Sequence, residues 1–357
     1  MPGKATTYAS SFALQARLAR WWPGRAQSSQ SHRTSEGHIE RHIWATLLAL
    51  VALPTLSAAQ APCSSAPLAV QVLGSGGPFA GSPRASTGYL VWSEGRAVAM
   101  VDAGGGTFLR FGEAGAKLSD LSVVAISHLH PDHVSDLPGL LWLSDAVRDR
   151  PLTLVGPSGG GAFPDMDTFA SRLFDSAGGA FPILAGTLRQ SGRGVPLDIR
   201  VVDVTGPAST VALAEDGLVL TAIGVPHGSV GVSVATTPSV AYRVQVGNRS
   251  VVFSSDQNGS DDRFVAFATG ADVLVMHFAV SEQNDGQIHA RPSVVGRIAR
   301  DARVGRLLLS HVIDPPVGYP TADSFSGPRL AESVAVVRAL YEGPIDVATD
   351  LRCVVVG

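Results

Sequence analysis

Lysine is almost missing from this chain: Lys4 and Lys117 are the two in 357 residues, and arginine carries the rest of the positive charge. Cysteine is equally sparse, at Cys63 and Cys353. A zinc knuckle needs closely spaced thiolates, which this pair cannot supply. Two arrangements stay open: a disulfide tying together the ends of an exported domain, or two unpaired thiols. Low-complexity blocks and fixed-period repeats are absent. That excludes a disordered composition and a solenoid. No apolar run reaches the ~20 residues of a comfortable membrane span.

The apolar run over 43–53 stops at Pro54 and has the length of a signal-peptide core. Arginines precede it, and small residues follow at 57–59. Cleavage is expected after Ala59, with Ala61 as the other cut and an uncleaved anchor helix as the other fate. Pro62, beside Cys63, argues against a lipobox. The expected organisation is a leader with signal peptide over 1–59 and one domain over 60–357. The expected location is periplasmic or secreted, with no stable membrane span after processing.

Charge follows from that division. The leader holds 6 basic and 2 acidic residues of the chain's 27 and 30, so 21 face 28 in the remainder, a net of −7. A surface of that sign repels polyanions unless a local basic patch overrides it. Nucleic acid is therefore not an expected partner.

Apolar residues make up 45% of the chain, and 39 glycines and 23 prolines punctuate it densely. Short β-like runs dominate: 68–74, 88–92, 97–104, 121–127, 152–156, 199–204, 218–225, 239–247, 249–255, 272–278, 306–312 and 345–356. Helical patterns are fewer, over 135–149, 163–178, 291–304 and 328–343. Asp136 reads as the N-cap of the first of these. The pattern predicts an α/β fold of two mixed sheets packed together with helices outside. "GPSGGGA" looks phosphate-cradling but lacks the G-K-[ST] of a P-loop and reads as a turn.

Seven histidines follow the leader: His128, His130, His133, His227, His277, His289 and His311. Most stand just beyond a β-like run, as does Asp256. Strand ends gathered on one edge of a sandwich would bring them together. In "SHLHPDH", His128 and His130 lie two apart and point the same way in an extended segment. Asp132 and His133, at the turn into a helix, face elsewhere. Imidazole and carboxylate suit zinc, though manganese or iron also accept them. One tetrahedral site cannot use so many donors, so two divalent cations ~3.5–4 Å apart are the economical reading.

The segment "SHLHPDHVSDLPGLLW" resembles the metallo-β-lactamase superfamily, most closely its ribonuclease Z-like branch. "VLGSGGPFAGSPRASTGYLV", "MVDAGGGT", "VPHG", "VVFSSDQ" and "LLLSHV" are similar to further segments of that family. The resemblance implies an αββα sandwich and one ion held by His128, His130 and His227. It implies a second held by Asp132, His133 and His311, with Asp256 bridging and Asp102 supporting the loop. It makes His289, in "QIHARPS", the general acid that protonates the leaving oxygen. A surface histidine before a helix is the alternative for His289. His277 reads as supporting or structural. Where ribonuclease Z has a glutamate after that histidine, this chain has Phe278, and whether Glu282 substitutes is open.

The implied activity is metal-dependent hydrolysis, with Asp132, Asp256 and His289 catalytic. The expected substrates are small phosphodiesters or sulfate esters, since the branch includes cyclic-nucleotide phosphodiesterases and arylsulfatases. Three alternatives stay open. One is ribonuclease Z-type tRNA 3′ processing. Another is a lactonase or β-lactamase-like acyl hydrolase, although Ser135 and Asp136 replace the glycine pair usual there. The third is a metal-binding protein without catalysis. A homodimer is one option for its assembly.

Overall fold

Each half of the chain begins with antiparallel strands and ends with parallel ones. The computed structural model describes residues 63–79, 83–142, 144–228, 237–284, 286–313 and 328–357. The leader, the apolar run and the cleavage site lie outside the described residues.

The first half supplies β1 (Leu68–Gly74), β2 (Gly88–Ser93), β3 (Arg96–Val101), β4 (Val123–Ala125), β5 (Leu152–Pro157) and β6 (Leu197–Val202). The second supplies β7 (Thr210–Glu215), β8 (Leu218–His227), β9 (Thr237–Val246), β10 (Arg249–Phe253), β11 (Val273–His277), β12 (Leu307–Ser310) and β13 (Ile345–Val347). Strand β14 (Cys353–Val355) returns to the first sheet beside β1. Two seven-stranded sheets result, ordered β14-β1-β2-β3-β4-β5-β6 and β13-β12-β11-β10-β9-β8-β7. In the first, β3 to β6 are parallel; in the second, β10 to β13 are.

Alternation along each strand builds the layers. Val70 and Val72 of β1 face the other sheet, where Tyr89 and Val101 meet Tyr242, Phe253 and Val275. Ala69 and Leu73 face outward, under α1 (Thr107–Glu113), α2 (Pro131–Val134), α3 (Leu137–Leu141) and α5 (Met166–Phe174); the short α4 (Ser144–Val147) lies between α3 and α5 in the chain. The second sheet's outer face packs Leu274 and Leu309 against Phe264 of α6 (Arg263–Ala268), Ile298 of α7 (Pro292–Asp301) and Val337 of α8 (Pro328–Arg338). Every residue of β1 is buried, as a strand covered on both faces must be. The order is helix, sheet, sheet, helix, as expected.

Three expectations change. The helix expected over 135–149 is broken into α3 and α4, with α2 a separate turn before them. Pro138 has no N–H to continue the ladder of α2. Strand 121–127 contracts to β4, because its last residues leave the sheet to carry site groups. Asp136 does not cap its own helix: its carboxylate accepts from the backbone N–H groups of Gly106 (2.8 Å) and Phe108 (3.0 Å), at the start of α1. The open question of the cysteines resolves as a Cys63–Cys353 disulfide.

Candidate metal centre

Parallel strands in register put their C-terminal ends on one edge, and antiparallel β8 and β9 bring the end of β8 to the same edge as β10. Asp102 follows β3, His128 follows β4, His227 ends β8, Asp256 follows β10, His277 ends β11 and His311 follows β12. Asp102, Ser255 and His311 have φ of 60, 56 and 56°, a left-handed conformation that sends the chain sharply off the strand. Side chains other than glycine, asparagine or aspartate seldom adopt it away from functional sites.

"DAGGG" holds the loop that carries the histidine cluster. Ala103 N–H donates to the His133 carbonyl (2.8 Å), and Thr87 N–H donates to the Asp132 carbonyl (3.1 Å). A Cβ on Gly104 would stand 2.0 Å from the Asp132 carbonyl oxygen, so the approach requires glycine there. Asp102 then ties the loop down. Its carboxylate accepts from Ser127 N–H (2.7 Å), Ser127 hydroxyl (2.9 Å) and His133 Nδ1–H (2.9 Å).

Four buried imidazoles, of His128, His133, His227 and His311, each have one nitrogen occupied and the other turned inward. His133 gives Nδ1–H to Asp102, which turns its Nε2 inward; that atom is buried without a hydrogen-bond partner. It faces Asp256 Oδ2 at 3.5 Å and Asp132 Oδ2 at 3.6 Å. His311 Nδ1 lies 2.7 Å from the Thr87 hydroxyl, which itself donates to the Gly76 carbonyl. Its Nε2 therefore points to Asp256 Oδ1 (3.5 Å) and Asp132 Oδ2 (3.9 Å). His227 gives Nδ1–H to the Ile288 carbonyl (3.2 Å), and His128 Nδ1 lies 3.1 Å from Ser127 Oγ. The free nitrogens of His128 and His227 then stand 3.0 and 3.4 Å from His130 Nδ1. A proton on His130 Nδ1 or a cation among the three nitrogens relieves the repulsion of their lone pairs.

Ionisation fits the same picture. Burial holds His128 and His311 well below the ordinary imidazole range and His227 at about 3, so all three are neutral ligands near pH 7. Burial would also lower His133, but Asp132, Asp256 and Asp102 outweigh it and raise it well above that range. A positive centre is wanted at that spot. The donor set fits divalent metal ions: His128, His130, His227 and Asp256 could hold one, and a second group gathers His133, Asp256, His277 and His311, ligand atoms lying within 4.8 Å in each.

His277, which reads from the sequence as supporting or structural, lies against Asp256. Its Nδ1 is 2.6 Å from Asp256 Oδ1, and a carboxylate only accepts, so this nitrogen carries the proton. Its Nε2 lies 3.2 Å from the Tyr89 hydroxyl, which burial keeps un-ionised and able to donate. With both nitrogens engaged, His277 orients Asp256 and leaves Asp132 as the better carboxylate for the second group.

His289 lines the cleft with His130, Asp132, His227, Asp256 and His311, around about 280 Å³. Its Nδ1 is buried without a hydrogen-bond partner, 3.8 Å from Asp256 Oδ1. Glu282 does not take the place of the glutamate missing at Phe278. Its carboxylate accepts from Ser293 N–H (2.8 Å) and Ser293 hydroxyl (2.5 Å), at the first turn of α7. All eight expected site residues thus reach one cleft edge. Thr87 went unrecognised as the orienter of His311, since a lone threonine in a turn carries no periodic or spacing signal.

A hydrolytic metal site on a two-sheet sandwich defines a class, and known proteins agree. The model of the "Beta-lactamase superfamily domain" family matches residues 99–312. Ribonuclease Z of Mycobacterium sp. (strain KMS) is 28% identical over 268 residues, covering 71% of this chain and 87% of the relative. The metallo-β-lactamase-fold protein YhfI from Bacillus subtilis shares the fold with a TM-score of 0.59 at 20% identity, over 81% of this chain and 99% of that one. Human tRNase Z, short form, does so with a TM-score of 0.57 at 19% identity, over 81% and 99%. The chain belongs to the metallo-β-lactamase superfamily and, within it, to the ribonuclease Z-like branch. It is a hydrolase of that superfamily.

Proposed function

We propose that this protein is an exported, binuclear metal-dependent hydrolase that cleaves phosphodiesters of small substrates, with sulfate esters as the neighbouring class. The observation that carries the reading is the inward turn of His128, His130, His133, His227 and His311 around Asp132 and Asp256. His128, His130 and His227 would hold one cation; Asp132, His133 and His311 the other, with Asp256 between them. Zinc is the first choice for such donors. Two cations in that arrangement supply water ionised near neutral pH and a clamp for charge growing on phosphoryl oxygens.

The chain's own residues supply the remainder. Asp102, Thr87, Ser127 and the Ile288 carbonyl fix which nitrogen of each imidazole faces inward. His277 fixes Asp256. His289, on the rim with a free Nδ1, delivers a proton to the leaving oxygen. Export is supported by the apolar run at 43–53, the small residues after it and the disulfide, a bond of oxidising compartments. On this reading, residues 1–59 are the leader and 60–357 the mature domain. Aspartates at Leu47 and Leu48 should abolish secretion; unchanged secretion refutes the apolar run as the signal, and retention of the unaltered chain in the cell refutes export.

The relatives named ribonuclease Z favour a second reading, tRNA processing, and they weigh against excluding nucleic acid. Several features of the chain weigh the other way. They are the net charge of −7 after the leader, Phe278, and a 157–200 region with only Arg172, Arg189, Arg193 and Arg200 as basic residues. The deciding experiment assays bis-p-nitrophenyl phosphate, p-nitrophenyl sulfate, a chromogenic lactone and a precursor tRNA, each with and without chelator. Chelator-sensitive turnover of the phosphodiester is expected. Cleavage of the tRNA alone would establish the second reading instead.

A further inference from the structure

The Gly-rich segment after β1 lies against the His311 ring and is held from the far end of the chain. A Cβ on Gly77 would stand 3.1 Å from His311 Cε1, so bare backbone is what packs against that imidazole. The Ser75 carbonyl accepts from the N–H of Val312, the residue after His311 (2.8 Å). The Gly76 carbonyl accepts from the hydroxyl of Thr87 (3.1 Å), the group 2.7 Å from His311 Nδ1. Gly76 N–H donates to the Ala85 carbonyl (2.9 Å) and closes the base of the loop. The direction of the His311 ring therefore follows the position of this loop.

Asp350 clasps both of its ends. It stands where the chain crosses from β13 in one sheet to β14 in the other. Its Oδ1 accepts from Ser75 N–H (3.1 Å) and the Ser75 hydroxyl (2.8 Å); its Oδ2 accepts from Ala85 N–H (2.8 Å) and Arg110 Nε–H (3.3 Å). The side chain is only 11% exposed, and burying a carboxylate is costly unless donors replace its water, as these do. All of them lie in the first half of the chain, on the loop and on α1. The crossing is secured without them: Leu351 N–H donates to the Val72 carbonyl (2.7 Å), β14 pairs with β1, and the Cys63–Cys353 disulfide fastens the strand. A carboxylate that served the crossing alone would bond within it. Arg84 adds a second tie between the same segments, its Nη1 donating to Ser75 Oγ (2.8 Å) and to the Ala348 carbonyl (2.7 Å).

We propose that Asp350 is a positioning residue of the metal centre: by clasping Ser75 and Ala85 it sets the contact between Gly76 and Thr87, and through it the direction of His311 Nε2. Asp350 touches neither the cleft nor a ligand other than through these residues. The consequence, a firmer hold of His311 on the second cation, rests on the metal-centre reading; the orientation of the ring does not.

Histidine-selective NMR of the whole protein in zinc-containing buffer, beside zinc affinity measured by competition with a chelator, tests this. His311 and His128 are assigned by the signals lost in H311Q and H128Q. In D350A the His311 ring signals should shift or split, while those of His128, held from the first sheet by Ser127, stay in place. D350N keeps one acceptor oxygen and should move them less. The control is D272A, since Asp272 is also a half-buried clasp, accepting from Ser250 N–H (2.8 Å) and Arg249 Nη1 (2.7 Å) where β10 begins, away from the centre. It should leave the His311 signals unmoved. Zinc affinity should fall about threefold or more in D350A and stay within about twofold in D272A. Unmoved His311 signals in D350A, an equal change in D272A, or unchanged zinc affinity in D350A overturns the assignment. Should D350A fail to fold, the same signals in D350N decide it. If the unaltered protein takes up no zinc, the metal-centre reading falls, and the His311 signals alone then judge Asp350.

Discussion

The two sheets bring their donors to the common edge in different ways. The first sheet delivers His128, His130, Asp132 and His133 from one short segment after β4, held by a buried carboxylate, Asp102. The second delivers His227, Asp256 and His311 from three separate strand ends, oriented by neutral partners: the Ile288 carbonyl, His277 and, for His311, the hydroxyl of Thr87 across the sandwich. Local sequence thus preorganises one half of the centre. The other half depends on strand register, which is correct only when the sandwich is assembled.

On the proposed reading both halves are needed. H130A on the first side and H311A on the second should each lower kcat/KM roughly a thousandfold or more. Elemental analysis should show about one metal lost in each. If H311A kept both metals and full turnover, the second sheet would be a bystander and the comparison would break.

The orienting groups sharpen it. D102A removes a charged acceptor that holds both Ser127 and His133, so metal affinity should fall ~10–100-fold, read by competition with a chelator. T87V removes a neutral contact to a single histidine and should cost about tenfold or less. A larger loss in T87V than in D102A would reverse the ranking of the two sides.

The smallest effect concerns Asp136, inside the first side's segment but turned away from the centre. D136A should lose ~1 kcal/mol in urea denaturation through the uncapped α1, with kcat unchanged. A fall in kcat in the folded variant would make this residue part of the centre.

Much of the molecule was legible beforehand. The strands over 68–74, 218–225 and 249–255 reappear within a few residues, because buried Val- and Leu-rich runs bounded by glycine and proline have few other uses. The cluster from His128 to His133 declared itself, since packing gives no reason for three imidazoles so close in sequence. Less legible was the segment after it. Its helical pattern over 135–149 divides after Leu141 into two short helices, and Pro138, in the first turn of α3, separates that helix from α2. Asp136 carried an N-cap signal but serves a helix some thirty residues away, a partner that only chain folding supplies.

Residue types alone determined which chemistry this protein can do, because imidazoles and carboxylates carry their donor atoms wherever they stand. The tertiary structure decided which nitrogen of each ring faces inward, that His277 serves Asp256, and that Asp350 clasps the loop beside His311. Those outcomes depend on contacts between residues tens to hundreds of positions apart. Spacing along one chain does not encode them, and the stacking of two sheets does.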